Sequence, residues 1–342
     1  MSVPAYDCPD RNRQVLLIER PTGVPQPEHF RLADAPLEAP EDGELWVRNL
    51  FLSVDPAQRG WAVDVKNYSA PVGLGSVMRA LGVGMVLESR LPGVRAGDVV
   101  YGWTGWQDYS RLDASSLLSS VRQPSLPISA YAGILGINGM TAWLAFSNLG
   151  RPRPGETVLV STAAGAVGSI VGQLAQAEGC RPLGLTGSDA KAETCVSRFG
   201  YEVALNYKTA DWRERLDSAA PDGIDIFFDN VGGEILDSAL RRMRTAGRVV
   251  QCGTASIASW DPPPVGLRNE RELLSRRLSW NGFVIFDHRA DFPSAIARLE
   301  ALIGRGRLVY DEDIETGIEA APGALRRLYA GENVGKKMIF IG

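Results

Sequence analysis

The stretch VLVSTAAGAVGSIVGQLAQAEG, from Val158 to Gly179, constrains the fold more than any other part of the chain. A continuous apolar run, of the kind found in strands buried on both faces, meets a turn of small residues and then a helix-like pattern. Gly165 and Gly168 stand where that helix begins. A backbone this bare lets a ligand approach closely, and the unpaired N–H groups of a helix N-terminus favour an anion. The spacing is that of the dinucleotide fingerprint, with Ala163 in place of its first glycine, followed by Gly165 and Gly168. The bare pattern is weak. A strand before it, a helix after it and further strand–helix units downstream strengthen it. The alternative is a small-residue strand–helix crossing that binds nothing.

Those units are readable along the chain. ETVLVS, RPLGLTG, VALNY, GIDIFFDNVGG, GRVVQCGTAS and LSWNGFVIF read as six strands between Glu156 and Phe286, alternating with helices. One helix, SDAKAETCVSRFG, has Ser188 as N-cap and Gly200 as stop. The alternation predicts an α/β domain, a doubly wound parallel sheet of the Rossmann type, over 131–306. The first 130 residues read as short strands punctuated by Gly and Pro, among them GELWVRNLFLSVDP, GVGMVLES, GDVVYGW and WQDYSRLD, a pattern that suggests a barrel or curled sheet. A helix, FPSAIARLEALIGRG, and a lone strand, GKKMIFIG, follow the sheet, and DPPPVG (Asp261 to Gly266) reads as a stiff proline loop.

The end of the second strand reports on the cofactor's ribose. NAD sites place an acid there to hold the 2′-hydroxyl. Here the strand ends on Gly187 and Ser188. Asp189 follows, where helix capping explains it equally well, and Lys191 offers a point charge to a 2′-phosphate. The charge argument therefore favours NADPH over NADH, with an ordinary solvated lysine as the alternative for Lys191.

Composition enters by what it disfavours. The 342 residues carry 36 basic and 40 acidic side chains, a net charge of −4, which leaves no basic footprint for nucleic acid. Cys8, Cys180, Cys195 and Cys252 have no short paired spacing, as expected of reduced thiols. The opening MSVPAYDCPDRNRQ has no apolar core of a secretory signal, and no apolar run approaches the ~18 residues of a membrane span. A cytoplasmic protein is expected.

STAAGAVGSIVGQLA, TGSDAK, ALNYKT, DGIDIFFDNVGG and CGTAS stand in the order and spacing of the zinc-independent medium-chain reductases. LSVDPAQRG, GWQDYS, LGINGMTAWLAF, PPPVGLRN, GFVIFDH and GENVGKKMI extend the likeness over nearly the whole chain. The chain most resembles the prostaglandin reductase, leukotriene B4 dehydrogenase and alkenal double-bond reductase group. The resemblance implies a GroES-like β-rich substrate domain, 1–130 with 307–342, and an NADP-binding domain between its parts. It implies homodimers, and NADPH reduction of a C=C bond conjugated to a carbonyl on a small hydrophobic substrate. It sets Gly165, Ala166, Val167 and Gly168 under the pyrophosphate, and Lys191 and Tyr207 near the 2′-phosphate. Asn230 lies along the cofactor. Cys252, Gly253, Thr254, Ala255, Ser256, Ile257 and Ala258 border the ribose and nicotinamide. Phe283, Val284 and Ile285 flank the nicotinamide, and Asn333 reaches it from the tail. Structural alternatives stay open: Tyr207 packs beside a strand, Asn230 caps a turn before Gly232 and Gly233, and Cys252 matters through its backbone.

Zinc chemistry on this fold needs a Cys/His/Cys-like set with an open position. The sequence holds only His29 and His288, neither near a cysteine, so a metal-free hydride transfer is expected. The chain departs from the family at two positions, Ala57 and Ala258, where tyrosine is frequent. Arg59, Tyr68, Trp106 and Asn138 are substitute candidates for the donor that meets the substrate's carbonyl oxygen. The alternatives are a surface ion pair for Arg59, barrel packing for Tyr68 and Trp106, and a turn for Asn138. Two other functions remain open: alcohol–ketone oxidoreduction on a hydrophobic metabolite, and cofactor binding without turnover.

Overall fold

A computed structural model describes residues 11–342 apart from Lys66, Ala258 and Asp261, so Cys8, the pocket and cofactor candidate Ala258 and the first residue of the proline loop lie outside the described residues. The chain divides into two compact units, Met1–Gly136 with Glu312–Gly342, and Ile137–Asp311.

In the first unit, β1 (Arg11–Leu17) and β2 (Phe30–Pro36) form an antiparallel pair. The main sheet is built on β3 (Glu44–Ser53), which leads into a short helix, α1 (Ala57–Ala62). β4 (Gly82–Ser89), β5 (Val99–Gly102), β6 (Tyr109–Asp113) and β7 (Leu117–Val121) complete this part. β3 pairs antiparallel with both β4 and β6. Its alternate residues Leu45 and Val47 point into a cluster with Val86, Val100 and Leu112, the period-2 burial of a one-sided sheet. The β3–β4 register shifts twice, between Trp46 and Val47 and between Asn49 and Phe51, and such bulges bend a strand and raise its twist.

The second unit opens with α2 (Ile137–Ala145) and then alternates: β8 (Thr157–Ser161), α3 (Gly168–Ala177), β9 (Arg181–Thr186), α4 (Asp189–Phe199), β10 (Val203–Asn206), α5 (Trp212–Ala219), β11 (Ile224–Asp229), α6 (Gly233–Leu240), β12 (Met243–Gln251), α7 (Glu270–Arg276), β13 (Ser279–Gly282) and α8 (Phe292–Gly304). The sheet order is β10-β9-β8-β11-β12-β13, and every neighbouring pair is parallel. This is the expected doubly wound sheet. The order reverses between β8 and β11, the switch point at which such sheets open a crevice beyond their carboxyl ends. The apolar strand runs supply the core: Leu159, Leu183, Phe227 and Val249 pack with Trp212 and Leu216 of α5 and Ile235 and Leu240 of α6. α4 begins and ends as its sequence predicts. The Ser188 hydroxyl accepts the Lys191 N–H, and Gly200 closes the helix in the left-handed conformation with φ 69°.

The tail returns to the first unit as β14 (Glu312–Thr316), α9 (Ala321–Ala330) and β15 (Lys336–Phe340). β15 pairs parallel with β14 and antiparallel with β3. The buried Lys336 ammonium donates to Asp55 Oδ1 at 2.7 Å and to the Val54 carbonyl at 2.9 Å, fastening the tail to the segment that carries Ala57 and Arg59. Among the described residues no helix is long and apolar enough to cross a membrane.

Candidate active site

The glycine turn is a tight, crowded structure. Thr162 takes a left-handed conformation, φ 55°, rare for a β-branched residue. Its carbonyl accepts the Gly165 N–H at 2.9 Å and faces the start of α3. A β-carbon on Gly168 would lie 2.3 Å from that carbonyl oxygen, and one on Gly165 would lie 2.8 Å from the Thr162 methyl. Backbone atoms close the place at Gly168 to any side chain, and at Gly165 the Thr162 side chain would have to shift. Ala166 and Val167 stay partly exposed at the helix start, where first-turn N–H groups have no partner within the helix. Behind the turn, the Tyr201 hydroxyl donates to the Gly168 carbonyl at 2.6 Å. The cradle fits a pyrophosphate by close backbone approach and by its aligned donors.

Beside it, one buried acid gathers the strand ends. Asp229, the last residue of β11, is fully buried. Its carboxylate accepts the Ser161 hydroxyl (2.8 Å), the Val231 N–H (2.9 Å), the Gly232 N–H (2.9 Å) and the Gln251 amide (2.8 Å). Ser161 Oγ in turn accepts the Asn230 N–H at 2.8 Å, and Asn230 Nδ2 donates to the Ser161 carbonyl at 2.9 Å. Gln251 Oε1 accepts the Trp280 indole N–H at 3.2 Å. Burial, the dominant influence, raises the Asp229 pKa against the pull of these donors. Asp229, Ser161 and Gln251 did not stand out in the sequence. Asp229 there is one acid closing an apolar run, and its partners lie 68 and 22 positions away.

The 252–257 loop rests on this framework. Cys252 N–H donates to the Asp229 carbonyl at 2.8 Å, Ala255 N–H to the Asn230 carbonyl at 3.2 Å, and Ser256 to the Val231 carbonyl through both N–H and hydroxyl. Gly253 and Ile257 are tied by backbone bonds to Asp229 and Thr254. Burial pushes the Cys252 thiol strongly up, followed by the charge of Asp229, so it is no nucleophile. The structure thus brings Gly165, Gly168, Asn230 and the 252–257 loop to the ends of adjacent strands. Phe283 and Ile285 are buried, with Val284 partly exposed between them. The Phe283 ring stacks on His288 at 4.7 Å.

At the end of β9, Ser188 caps α4 through the Lys191 N–H at 3.3 Å. Asp189, the one acid of this turn, accepts the Asn206 amide at 3.3 Å. Tyr207 is half-buried, and its N–H donates to Thr186.

The candidates in the first unit differ in availability. Trp106 is fully buried, with its N–H on the Ser53 carbonyl at 3.3 Å. The Arg59 guanidinium lies 4.5 Å over the Tyr329 ring, whose hydroxyl donates to the Pro56 carbonyl at 2.6 Å. Tyr68 is 60% exposed and lines, with Asp64, Val65 and the 67–71 segment, an open cavity of about 440 Å³. Desolvation by the surrounding protein is the first cause that raises its phenol pKa, and the neighbouring Trp61 indole opposes the shift. Ala57 opens α1, half-buried. Asn333 is buried, with Nδ2 on the Gly335 carbonyl at 3.0 Å. Asn138 sits in α2 of the second unit.

Two family models match the chain, the N-terminal domain of oxidoreductases over residues 13–120 and the zinc-binding dehydrogenase domain over residues 166–301. The second description names a metal, yet among the described residues no group of three or more His, Cys, Asp or Glu could hold one. The NADP(+)-dependent 2-alkenal reductase of Nicotiana tabacum is 38% identical over 96% of this chain and 97% of its own. Prostaglandin reductase 1 of Sus scrofa is 35% identical over 93% and 95%. Among solved structures, CurA of Vibrio vulnificus in complex with NADPH superposes with a TM-score of 0.90 at 34% identity, covering 96% of this chain and 99% of that one. With relatives of this identity spanning nearly the whole sequence, the chain belongs to the zinc-independent medium-chain dehydrogenase/reductase family, in the group of the alkenal and prostaglandin reductases.

Proposed function

We propose that this protein is an NADPH-dependent, metal-free reductase that adds hydride to the C=C bond of an α,β-unsaturated ketone or aldehyde. The observation that carries the reading is the turn after β8, where Gly168 is pressed to within a missing methyl of the Thr162 carbonyl and the α3 N-terminus stands open to a phosphate. Gly165, Ala166, Val167 and Gly168 hold the pyrophosphate, and Lys191 and Tyr207 the 2′-phosphate. Asn230 and the 252–258 loop border the ribose and nicotinamide, with the 283–285 segment and Asn333 at the nicotinamide end. Phe283 and Ile285, whose side chains are buried, act through their backbone.

When bound, the cofactor supplies a hydride. As it reaches the β-carbon, negative charge grows on the carbonyl oxygen. A donor aimed at that oxygen is worth roughly 3 kcal/mol. Tyr68 fits that role best. Its raised phenol stays protonated at neutral pH, and it lines an open cavity, whereas the Trp106 N–H is already bonded in the core. Ala57, half-buried at the start of α1, leaves room for a hydrophobic substrate. Water protonates the α-carbon.

The protein is read as cytoplasmic and homodimeric. β13 is the edge of the parallel sheet and is exposed at all four residues. Trp280 is the apolar side chain among them, and nearby in sequence Val265 and Leu274 are exposed too. A second copy, related by a two-fold axis, is the occupant that satisfies an edge strand with its own equivalent.

The test is NADPH consumption on 2-alkenals, aryl enones and oxo-lipids, each beside its saturated counterpart. Turnover on the unsaturated member, with a product heavier by two hydrogens at the C=C bond, is expected. Turnover only on the saturated ketones, or none with NADPH on any carbonyl, overturns the reading.

A further inference from the structure

We propose that Lys208 is a second cation for the cofactor's 2′-phosphate and so a determinant of the choice between NADPH and NADH. The inference rests on the NADPH reading and goes beyond the pair Lys191 and Tyr207. β10 runs parallel to β9 with Asn206 opposite Thr186, so the residues after Asn206 emerge beside the turn that follows Thr186. At that turn Gly187 carries no side chain, and Tyr207 and Lys208 wall the place one would take. A β-carbon there would stand 3.4 Å from the Tyr207 hydroxyl, 3.6 Å from Lys208 Cε and 3.7 Å from Lys208 Nζ. The Lys208 ammonium therefore lies over Gly187, at the strand end where this class of sheet reads the ribose substituent.

Asn206 sets the arrangement. Its Oδ1 accepts the Lys208 N–H at 3.1 Å, which turns the chain back toward Gly187. Its Nδ2 donates to Asp189 at 3.3 Å, occupying the carboxylate that would otherwise seek a ribose 2′-hydroxyl. One side-chain amide thus presents a cation and restrains the competing anion. A phosphate monoester carries about two negative charges at neutral pH, so a single lysine leaves one unbalanced. Lys191 lies on the first turn of α4 and Lys208 follows β10, so the two lysines come from different elements flanking the end of β9.

Binding of 2′,5′-ADP and of 5′-ADP to the intact protein, measured by calorimetry, tests this without turnover. Wild type is expected to prefer 2′,5′-ADP. Lys208→Met is expected to weaken 2′,5′-ADP by roughly tenfold or more, the scale of one charge-assisted hydrogen bond, and to leave 5′-ADP unchanged. Lys208→Arg is expected to retain most of the preference, and an unaltered melting temperature in both variants establishes that they fold. If wild type prefers 2′,5′-ADP but Lys208→Met binds both ligands as wild type does, or loses both equally, the role of Lys208 is overturned while the NADPH reading stands. If wild type itself shows no preference, the NADPH reading fails and the inference falls with it.

Discussion

The Ser161 hydroxyl donates to Asp229 at 2.8 Å across 68 residues of sequence, joining the carboxyl ends of β8 and β11 where the strand order reverses. Four donors converge on that one carboxylate, so its removal strands several buried groups at once. Asp229→Ala is expected to lose about 3 kcal/mol or more of stability and to weaken NADPH binding at least roughly tenfold, because Asn230 and the 252–257 loop are held through it. Asp229→Asn keeps the volume but turns an acceptor into a donor facing N–H groups, and remains destabilised by about 1–2 kcal/mol. Urea denaturation and nucleotide fluorescence read the two effects. Wild-type affinity in a folded Asp229→Ala would remove the network from the site.

Gly168→Ala tests the cradle itself. The new methyl meets backbone atoms, Thr162 O at 2.3 Å and Ala163 Cα at 2.9 Å, which have no rotamer to change. The turn must open, costing about 1–3 kcal/mol in stability. With the pyrophosphate on this turn as proposed, affinity for NADPH should fall further than the melting temperature alone explains. Gly23→Ala, with nothing within 4 Å of the added carbon, is the matched control and should change neither.

Buried thiols give the protein an alkaline limit, Cys180 and Cys195 beside the Cys252 already described. Burial pushes Cys180 up to about 11, helped by Glu156 and Glu178. Burial also pushes Cys195 up to about 12, against the pull of Lys191. Both folded values lie above that of the unfolded chain, near 9. Their stabilising contribution is whole below pH 9 and is lost as the pH rises from 9 through 11 and 12. The slope reaches about 1.4 kcal/mol per pH unit for each thiol. Urea midpoints at pH 8 and pH 10 measure the fall, and Cys195→Ala should reduce it by that thiol's share. Iodoacetamide at pH 8 should label these cysteines in urea and spare them in the native protein.

The parallel sheet was legible because its strands are buried on both faces, so each reads as an apolar run with a helix to follow. ETVLVS and IDIFFD are of this kind. α4 was legible because Ser188 and Gly200 act locally, one by its hydroxyl and one by its positive φ. β14, with the sequence EDIET, escaped because it is a polar edge strand that pairs, among the described strands, with β15 alone. Asp229 and Lys208 escaped for a different reason. The meaning of each comes from a neighbour brought in by strand pairing, Ser161 for one and Gly187 for the other, and no local period carries that information. Tyr207 shows the middle case. Its place beside a strand was readable, but the hydroxyl's position 3.4 Å from a carbon at Gly187 was not.

The edge strand β13 predicts the oligomeric state. Sedimentation of the wild-type chain should give twice the chain mass at micromolar concentration. Ser279→Lys combined with Asn281→Lys puts like charges on an edge that otherwise presents exposed backbone and the Trp280 side chain, and charged edges resist pairing. The double variant should sediment as a monomer with its melting transition retained. A monomeric wild type would count against the second copy as the partner of this edge.

Tyr68→Phe separates chemistry from binding. The substitution removes one oxygen from a side chain 60% exposed to solvent, so stability should change by no more than about 0.5 kcal/mol. NADPH affinity should be unchanged. If the phenol donates to the growing enolate oxygen, kcat should fall by roughly 10²-fold while KM for the enone moves little, since such a bond strengthens only as charge develops. The pH profile adds a sign. A raised phenol must be protonated to donate, so wild-type kcat holds through neutral pH and declines only above the ordinary phenol value near 10, and the phenylalanine variant lacks that decline. An enone reductase whose Tyr68→Phe variant keeps full kcat would return the oxyanion donor to the other residues of α1 and its loop, with Arg59, held over the Tyr329 ring, the next to substitute.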